Sequence, residues 1–97
     1  MRRRRTDDSS ADRASYRMKL GRETIQLDSI PFRILQFLST HPYRAYSRRR
    51  IAEAVSSRRH PVGEEQLDGH IGSLRRQLGF FRDYVQTVPY IGYRFKA

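Results

Sequence analysis

Ninety-seven residues make one domain at most, and 20 Lys plus Arg against 10 Asp plus Glu give it a formal charge of +10. The absence of cysteine excludes disulfides and Cys-based metal sites, and it fits a reducing, cytoplasmic setting. No apolar run approaches the roughly 20 residues that cross a bilayer, and the arginines at positions 2–5 lead into no apolar segment, which argues against a secretory leader. Only Lys19 and Lys96 are lysines, so nearly all the positive charge sits on guanidinium forks suited to bidentate phosphate contacts. A polyanion is the default partner, with nucleic acid ahead of an anionic membrane.

Residues 1–15 hold almost nothing apolar and cannot bury enough surface to offset their ordering entropy, so a disordered basic arm is expected there. The folded domain is expected over residues 16–97. Alternation in Tyr16-Arg17-Met18-Lys19-Leu20 and again in Thr24-Ile25-Gln26-Leu27, around Gly21, predicts a hairpin of two half-buried strands. Asp28 or Ser29 can cap a following helix, with Pro31 in its first turn. Phe32, Leu35 and Leu38, flanked by Ile34 and Phe37, form its apolar stripe, and it ends before Pro42.

Residues 43–46 read as a connector. Ser47 caps a second helix over residues 48–55, whose inward residues are expected to be Ile51, Ala54 and Val55. A polar loop over residues 56–61 leads to a third helix over residues 64–78, ended by Gly79 as a left-handed cap. Leu67, Ile71, Leu74 and Leu78 recur at four, three and four residues, the spacing of one amphipathic stripe. Residues 84–88 and 93–95 are predicted as two closing strands, turning through Pro89-Tyr90-Ile91-Gly92.

This order, an α+β chain with an N-terminal β-hairpin, three helices and a C-terminal β-hairpin, suggests a winged helix-turn-helix. Leu67-Asp68-Gly69-His70-Ile71 followed by Leu74-Arg75-Arg76-Gln77-Leu78-Gly79 resembles the recognition helix of the OmpR/PhoB-type response-regulator output domains. Val85-Gln86-Thr87-Val88 and Gly92-Tyr93-Arg94-Phe95 resemble that family's wing, and Tyr46-Ser47-Arg48 the start of its second helix. The likeness spans residues 16–95. It implies transcription regulation through double-stranded DNA, with the third helix in the major groove and the wing in the adjacent minor groove. It further implies RNA polymerase or another protein as a second contact and pairing of copies as a homodimer on tandem half-sites. A phosphorylatable receiver usually precedes such a domain. A chain that starts in the linker and one that works without a receiver both fit this sequence.

The candidate DNA contacts are Arg48, Arg49, Arg50, Arg58, Arg59, Asp68, His70, Ser73, Arg75, Arg76, Thr87, Tyr90 and Arg94. Three arginines in the first turn of a helix oppose its macrodipole by typically 0.3–1 kcal/mol each at low salt. Phosphate binding is one compensation; pairing with Glu53 or Asp28 is another. Arg58 and Arg59 read in the same way. Arg75, on the flank of the third helix, points to a phosphate, and Arg76, on its outer face, to a base. Asp68 either reads a base or pairs with a local arginine. His70 has no partner at metal spacing, which leaves packing or a phosphate contact.

Two departures from the family pattern stand out. Positions where the family often carries DNA-contacting arginines hold Glu65, Gly72 and Ser73, and Gly69 stands at a usually apolar position. The wing has Thr87-Val88-Pro89-Tyr90 where the family often has threonine-valine-arginine-glycine, so a minor-groove contact falls to Tyr90 or Arg94, and Thr87 keeps a phosphate role. The rival reading, an adaptor that has lost base readout and holds a protein partner on the same face, draws on these departures. No nucleophile–base pair, glycine-rich phosphate loop or carboxylate cluster is recognisable, so neither catalysis nor a cofactor is expected.

Overall fold

The computed structural model describes residues 16–97; the arm expected over residues 1–15, with its arginine run, lies outside the described residues. The chain opens on an antiparallel hairpin of β1 (Tyr16–Leu20) and β2 (Glu23–Leu27), with Leu20 opposite Glu23. Gly21 makes the tight turn at φ 60°, a conformation that side chains with a Cβ resist. Alternation puts Leu20 and Leu27 in the core, with Met18 and Ile25 half-buried beside them.

Helix α1 (Ser29–Thr40) buries Pro31, Ile34, Leu35 and Leu38, the i, i+3, i+4, i+7 set of one face. Ile34, Leu35 and Leu38 of the predicted stripe are fully buried, and Pro31 takes the inward place expected of Phe32. Phe32 and Phe37 sit at its flanks, their rings 5.0 Å from Tyr16 and 4.6 Å from Tyr46. Asp28 holds the N-cap position, but the expected side-chain cap from Asp28 is corrected. Its carboxylate accepts from Gln77 Nε2 at 2.9 Å, and its own backbone N–H donates to Gln77 Oε1 at 2.9 Å. A charged acceptor with two reciprocal bonds is worth more there than a single cap bond.

A two-residue strand, β3 (Tyr46–Ser47), takes the last residue of the predicted connector and the predicted cap. Ser47 then caps α2 (Arg48–Val55) as expected, its hydroxyl accepting from the Arg50 N–H at 3.0 Å. The buried residues of α2 are Ile51, Ala52 and Val55, which corrects the expected Ala54 to Ala52. The helix packs against two others at once, so its covered face is wide and turned toward Ala52; Ala54 is half-buried at the margin.

Helix α3 (Glu64–Leu78) has the predicted bounds, and Leu67, Ile71, Leu74 and Leu78 are all buried. Gln66 closes its start by accepting from the Gly63 N–H at 2.9 Å, while Gly79 ends it at φ 58°. Each of the four apolar side chains contributes roughly 1.5–3 kcal/mol through its burial. A 3₁₀ turn over Gly79–Tyr84 follows, so Tyr84, expected to open the first closing strand, lies outside the observed one. β4 (Val85–Val88) and β5 (Gly92–Phe95) close the chain, and the second sheet runs β3–β5–β4, antiparallel throughout. One core joins the hairpin, all three helices and the inner faces of Val85, Tyr93 and Phe95. No helix among the described residues is long and apolar enough to cross a membrane.

Candidate nucleic-acid interface

With Leu67, Ile71, Leu74 and Leu78 inward, helical rotation turns Glu65, Gly69, Gly72 and Arg76 outward, with Ser73 beside them. Arg76 is exposed and donates through Nη2 to Ser73 Oγ at 3.0 Å, which orients both polar groups on one strip of helix. A Cβ at Gly69 would meet nothing within 4 Å, and one at Gly72 only the Arg76 guanidinium at 3.7 Å. Nothing inside the fold requires these glycines, although each costs on the order of 1 kcal/mol against alanine in mid-helix. Their effect is a smooth outer surface between the acidic start, Glu64 and Glu65, and the basic end of α3.

The three arginines that begin α2 all have internal partners. Arg48 Nε lies 3.7 Å from Asp68 Oδ1, Arg49 Nε lies 3.4 Å from Glu53 Oε2, and the Arg50 guanidinium stands 5.4 Å from the Phe37 ring centre. These contacts account for part of the unfavourable first-turn charge. Exposed pairs of this kind are worth about 0–1 kcal/mol, so all three guanidiniums stay available to a stronger anion. Arg58 and Arg59 project from a loop that is locked from within. Ser56 Oγ accepts from the Val62 N–H at 2.9 Å and Ser57 Oγ from the His60 N–H at 3.0 Å, with buried Val62 as the anchor.

Asp68 turns toward the protein and organises the site, although its side chain stays 59% exposed. Besides Arg48, it accepts the Tyr93 hydroxyl at 2.5 Å, joining α2, α3 and β5. Burial first, then the bond to Asp68 and its negative charge, push the Tyr93 phenol from its ordinary 10 up to about 12, against the opposite pull of Arg75 and Arg48. The fold thus favours neutral Tyr93, a contribution complete below pH 10 and lost as pH climbs through 12. Tyr93→Phe is expected to lower stability by about 1–2 kcal/mol at pH 7. Urea midpoints taken along a pH series should show that deficit shrinking between pH 10 and 12; a constant deficit would show that the hydroxyl is not the source.

Arg75 points inward as well. Its Nε and Nη2 donate to the Val85 carbonyl at 3.1 and 2.8 Å, Nη2 also reaches Thr87 Oγ1 at 3.0 Å, and the guanidinium lies 5.6 Å from the Tyr93 ring centre. It ties the recognition-type helix to the edge of the wing. Arg94 sits on the ribbon face away from buried Tyr93, donating to Gln86 Oε1 at 2.9 Å and lying 5.8 Å from the Tyr43 ring centre. Strand alternation with Tyr93 and Phe95 forces that placement.

Tyr90 stands at the tip of the wing. The Ile91 N–H donates to the Val88 carbonyl at 3.0 Å across Pro89-Tyr90, and Tyr90 takes φ 68° in the position that normally favours glycine. Left-handed backbone costs a residue with a side chain about 1–2 kcal/mol. The Tyr90 ring is fully exposed and touches no other described side chain through a ring or hydrogen-bond contact.

On the flank of α3 opposite the wing, His70 and Ser73 line a cleft of about 930 Å³ together with Arg33, Ser57, Arg59 and His60. Arg33, Arg59, His60 and His70 have no side-chain hydrogen bond or ion pair with any described residue, and the one lining acid, Asp28, is held by Gln77. Arg33 and His60 were not among the sequence candidates. Position 33 reads only as a polar place on α1, and nothing local shows that it faces the loop before α3. No group of three or more His, Asp or Glu suited to a metal ion occurs among the described residues.

A helix between two partner helices, a third helix with a bare outer face, and a ribbon clamped beside it define a winged helix-turn-helix, here preceded by a strand hairpin. The chain belongs to the family of the C-terminal domain of transcriptional regulatory proteins, which matches residues 21–95. It is 38% identical over 90 residues to the phosphate regulon transcriptional regulatory protein PhoB of Escherichia coli K12, covering 91% of this chain and 39% of that protein. To the Pseudomonas aeruginosa PhoB it is 36% identical over 87 residues, with 89% and 38% covered. The chain therefore spans about two-fifths of the length of these relatives. The fold matches the DNA-binding domain of the response regulator AdeR, solved with an intercistronic region (TM-score 0.70, 18% identity, 84% and 86% of the two chains). It matches equally the C-terminal domain of the nisin resistance regulator NsrR (TM-score 0.69, 23% identity, 84% of each chain).

Proposed function

We propose that this domain binds duplex DNA as the output module of a transcriptional regulator, with α3 in the major groove. The observation that carries the reading is the surface of α3: an outer face free of internal packing, bordered by exposed arginines of α2 on one flank and by the unpaired basic cleft on the other. Arg48–Arg50 and the cleft residues Arg33, Arg59, His60 and His70 meet phosphates on the two sides of the groove, and Arg58 adds to the same field. Arg76, oriented with Ser73, is the remaining base reader, since Gly69 and Gly72 offer no side chain and Glu65 repels phosphate. Asp68, Arg75 and Thr87 hold the wing in place, while Tyr90 reaches the neighbouring minor groove. The setting is cytoplasmic. The same reading takes RNA polymerase or another protein as a second contact and pairs copies on adjacent half-sites.

A salt titration of binding to random duplex tests the reading. The log–log slope is expected at −4 or steeper, a loss of roughly 250-fold between 50 and 200 mM salt. Failure to bind at low salt would transfer the domain to the rival reading, an adaptor for a protein partner.

A further inference from the structure

We propose that the wing tip is an uncharged wedge that enters a base step of duplex DNA from the minor groove and unstacks it. The inference rests on the DNA-binding reading above and adds a distortion of the duplex that the reading does not require. From Thr87 to Tyr93 the ribbon carries no charged residue, in a chain where 31% of residues are charged. A ribbon tip that served phosphates would be expected to carry cations. Here Arg94, the first arginine after the tip, is turned to the other face and engaged by Gln86 and Tyr43.

What the tip presents is apolar. Pro89 is exposed, the Tyr90 ring is wholly in solvent, and Ile91 is 52% exposed. These three side chains have no interior role, and Tyr90 holds its ring outward from a left-handed backbone position where glycine would relax the turn. Pro89 fixes the first corner of that turn, and the Val88–Ile91 hydrogen bond closes it. The base of the ribbon is equally fixed. Arg75 grips Val85 and Thr87, Tyr93 is bonded to Asp68, and Gly92 lies directly beneath β3. The tip is therefore held at a set offset from α3, which spares much of the ordering cost of insertion.

Base faces are what such a tip fits. Apolar and aromatic side chains stack on any base, and wedges of this chemistry part base steps from the minor groove and kink the duplex. Pyrimidine–purine steps open with least resistance, so a step of that kind beside the helix-contacted segment is the preferred place of entry.

The test uses closed circular plasmid relaxed by topoisomerase I in the presence of the protein, with band retardation of random duplex run in parallel. The parent is expected to leave the plasmid negatively supercoiled once protein is removed, because wedge insertion unwinds the duplex. A double variant, Tyr90→Ala with Ile91→Ala, is expected to bind random duplex about tenfold more weakly with an unchanged salt slope. At matched occupancy it should leave the topoisomers unshifted. Tyr90→Trp should retain the shift, which guards against an effect of folding. Binding by the parent without any topoisomer shift overturns the wedge and leaves DNA binding standing. So does an equal shift by the double variant, which would assign the aromatic tip to a protein partner. No retardation of the parent on any duplex overturns both readings.

Discussion

Replacing Gly92 by alanine is expected to cost this domain about 2–4 kcal/mol, a large share of the roughly 5–15 kcal/mol that holds a small domain folded. A Cβ at that position would fall inside the contact radius of the Tyr46 carbonyl oxygen and lie 3.1 Å from the Ser47 Cα. Both obstacles are backbone, so no rotamer change relieves them. The clash can be removed only by lifting β3 off β5, where Tyr46 pairs with Tyr93 and Ser47 with Gly92. Ser47 is also the cap of α2, so the displacement passes directly into the helix that carries Arg48–Arg50. Urea unfolding should show a lower midpoint at unchanged slope. A Gly92→Ala midpoint within error of the parent would mean that β3 is not held at this distance in solution.

That close approach marks where sequence reasoning stops. The ends of α2 and α3 were legible because they are written locally: a capping serine at Ser47, a leucine stripe with one period, and Gly79 at the stop. β3 was not, since two residues carry no period and their partner lies more than forty positions away in the chain. Gly92 could be recognised as a turn residue, but its real constraint is a crossing strand. The buried choice of Ala52 over Ala54 depends on α2 having neighbours on two sides. In an eight-residue helix with Ile51, Ala52, Ala54 and Val55 together, the pattern alone does not settle it. The interface shows the same division. The arginines and the departures at Gly69, Gly72 and Pro89 are plain in the sequence, whereas the cleft that joins Arg33 to His60 and His70 exists only once α1, the loop and α3 have come together.

The glycines of α3 and the proline of the wing gain meaning from this comparison. Gly69 and Gly72 remove side chains from the surface that would face a groove, and Pro89-Tyr90 replaces a cationic tip by an apolar one. On the proposed DNA-binding reading, both changes would lower the share of hydrogen-bonded base reading and leave affinity to phosphates and shape. On that reading the remaining specificity would rest on how well α3 and the wing are held relative to each other, which puts the weight on the residue that connects them.

Arg75→Leu is expected to destabilise the domain by about 2–3 kcal/mol while changing the salt slope for random duplex by less than one phosphate, roughly 0.9. From sequence Arg75 reads as a phosphate contact; in the fold its guanidinium gives two bonds to the Val85 carbonyl and one to Thr87 Oγ1 beneath a ring contact with Tyr93. β4 is the outer strand of its sheet, so the Val85 carbonyl has no further strand to bond and depends on this donor. Leucine preserves much of the stem's packing and removes every donor, leaving a half-covered carbonyl unpaired. Lysine keeps the charge but lacks the planar fork, so Arg75→Lys should recover only part of the loss. Urea midpoints for the two variants, measured beside salt slopes, separate the roles. If Arg75→Leu kept the parent's midpoint and lost a full phosphate's worth of slope, Arg75 would be a DNA contact first and a clamp only incidentally. With the midpoint lowered and the slope kept, the helix–wing geometry is shown to hang on one guanidinium that never leaves the protein.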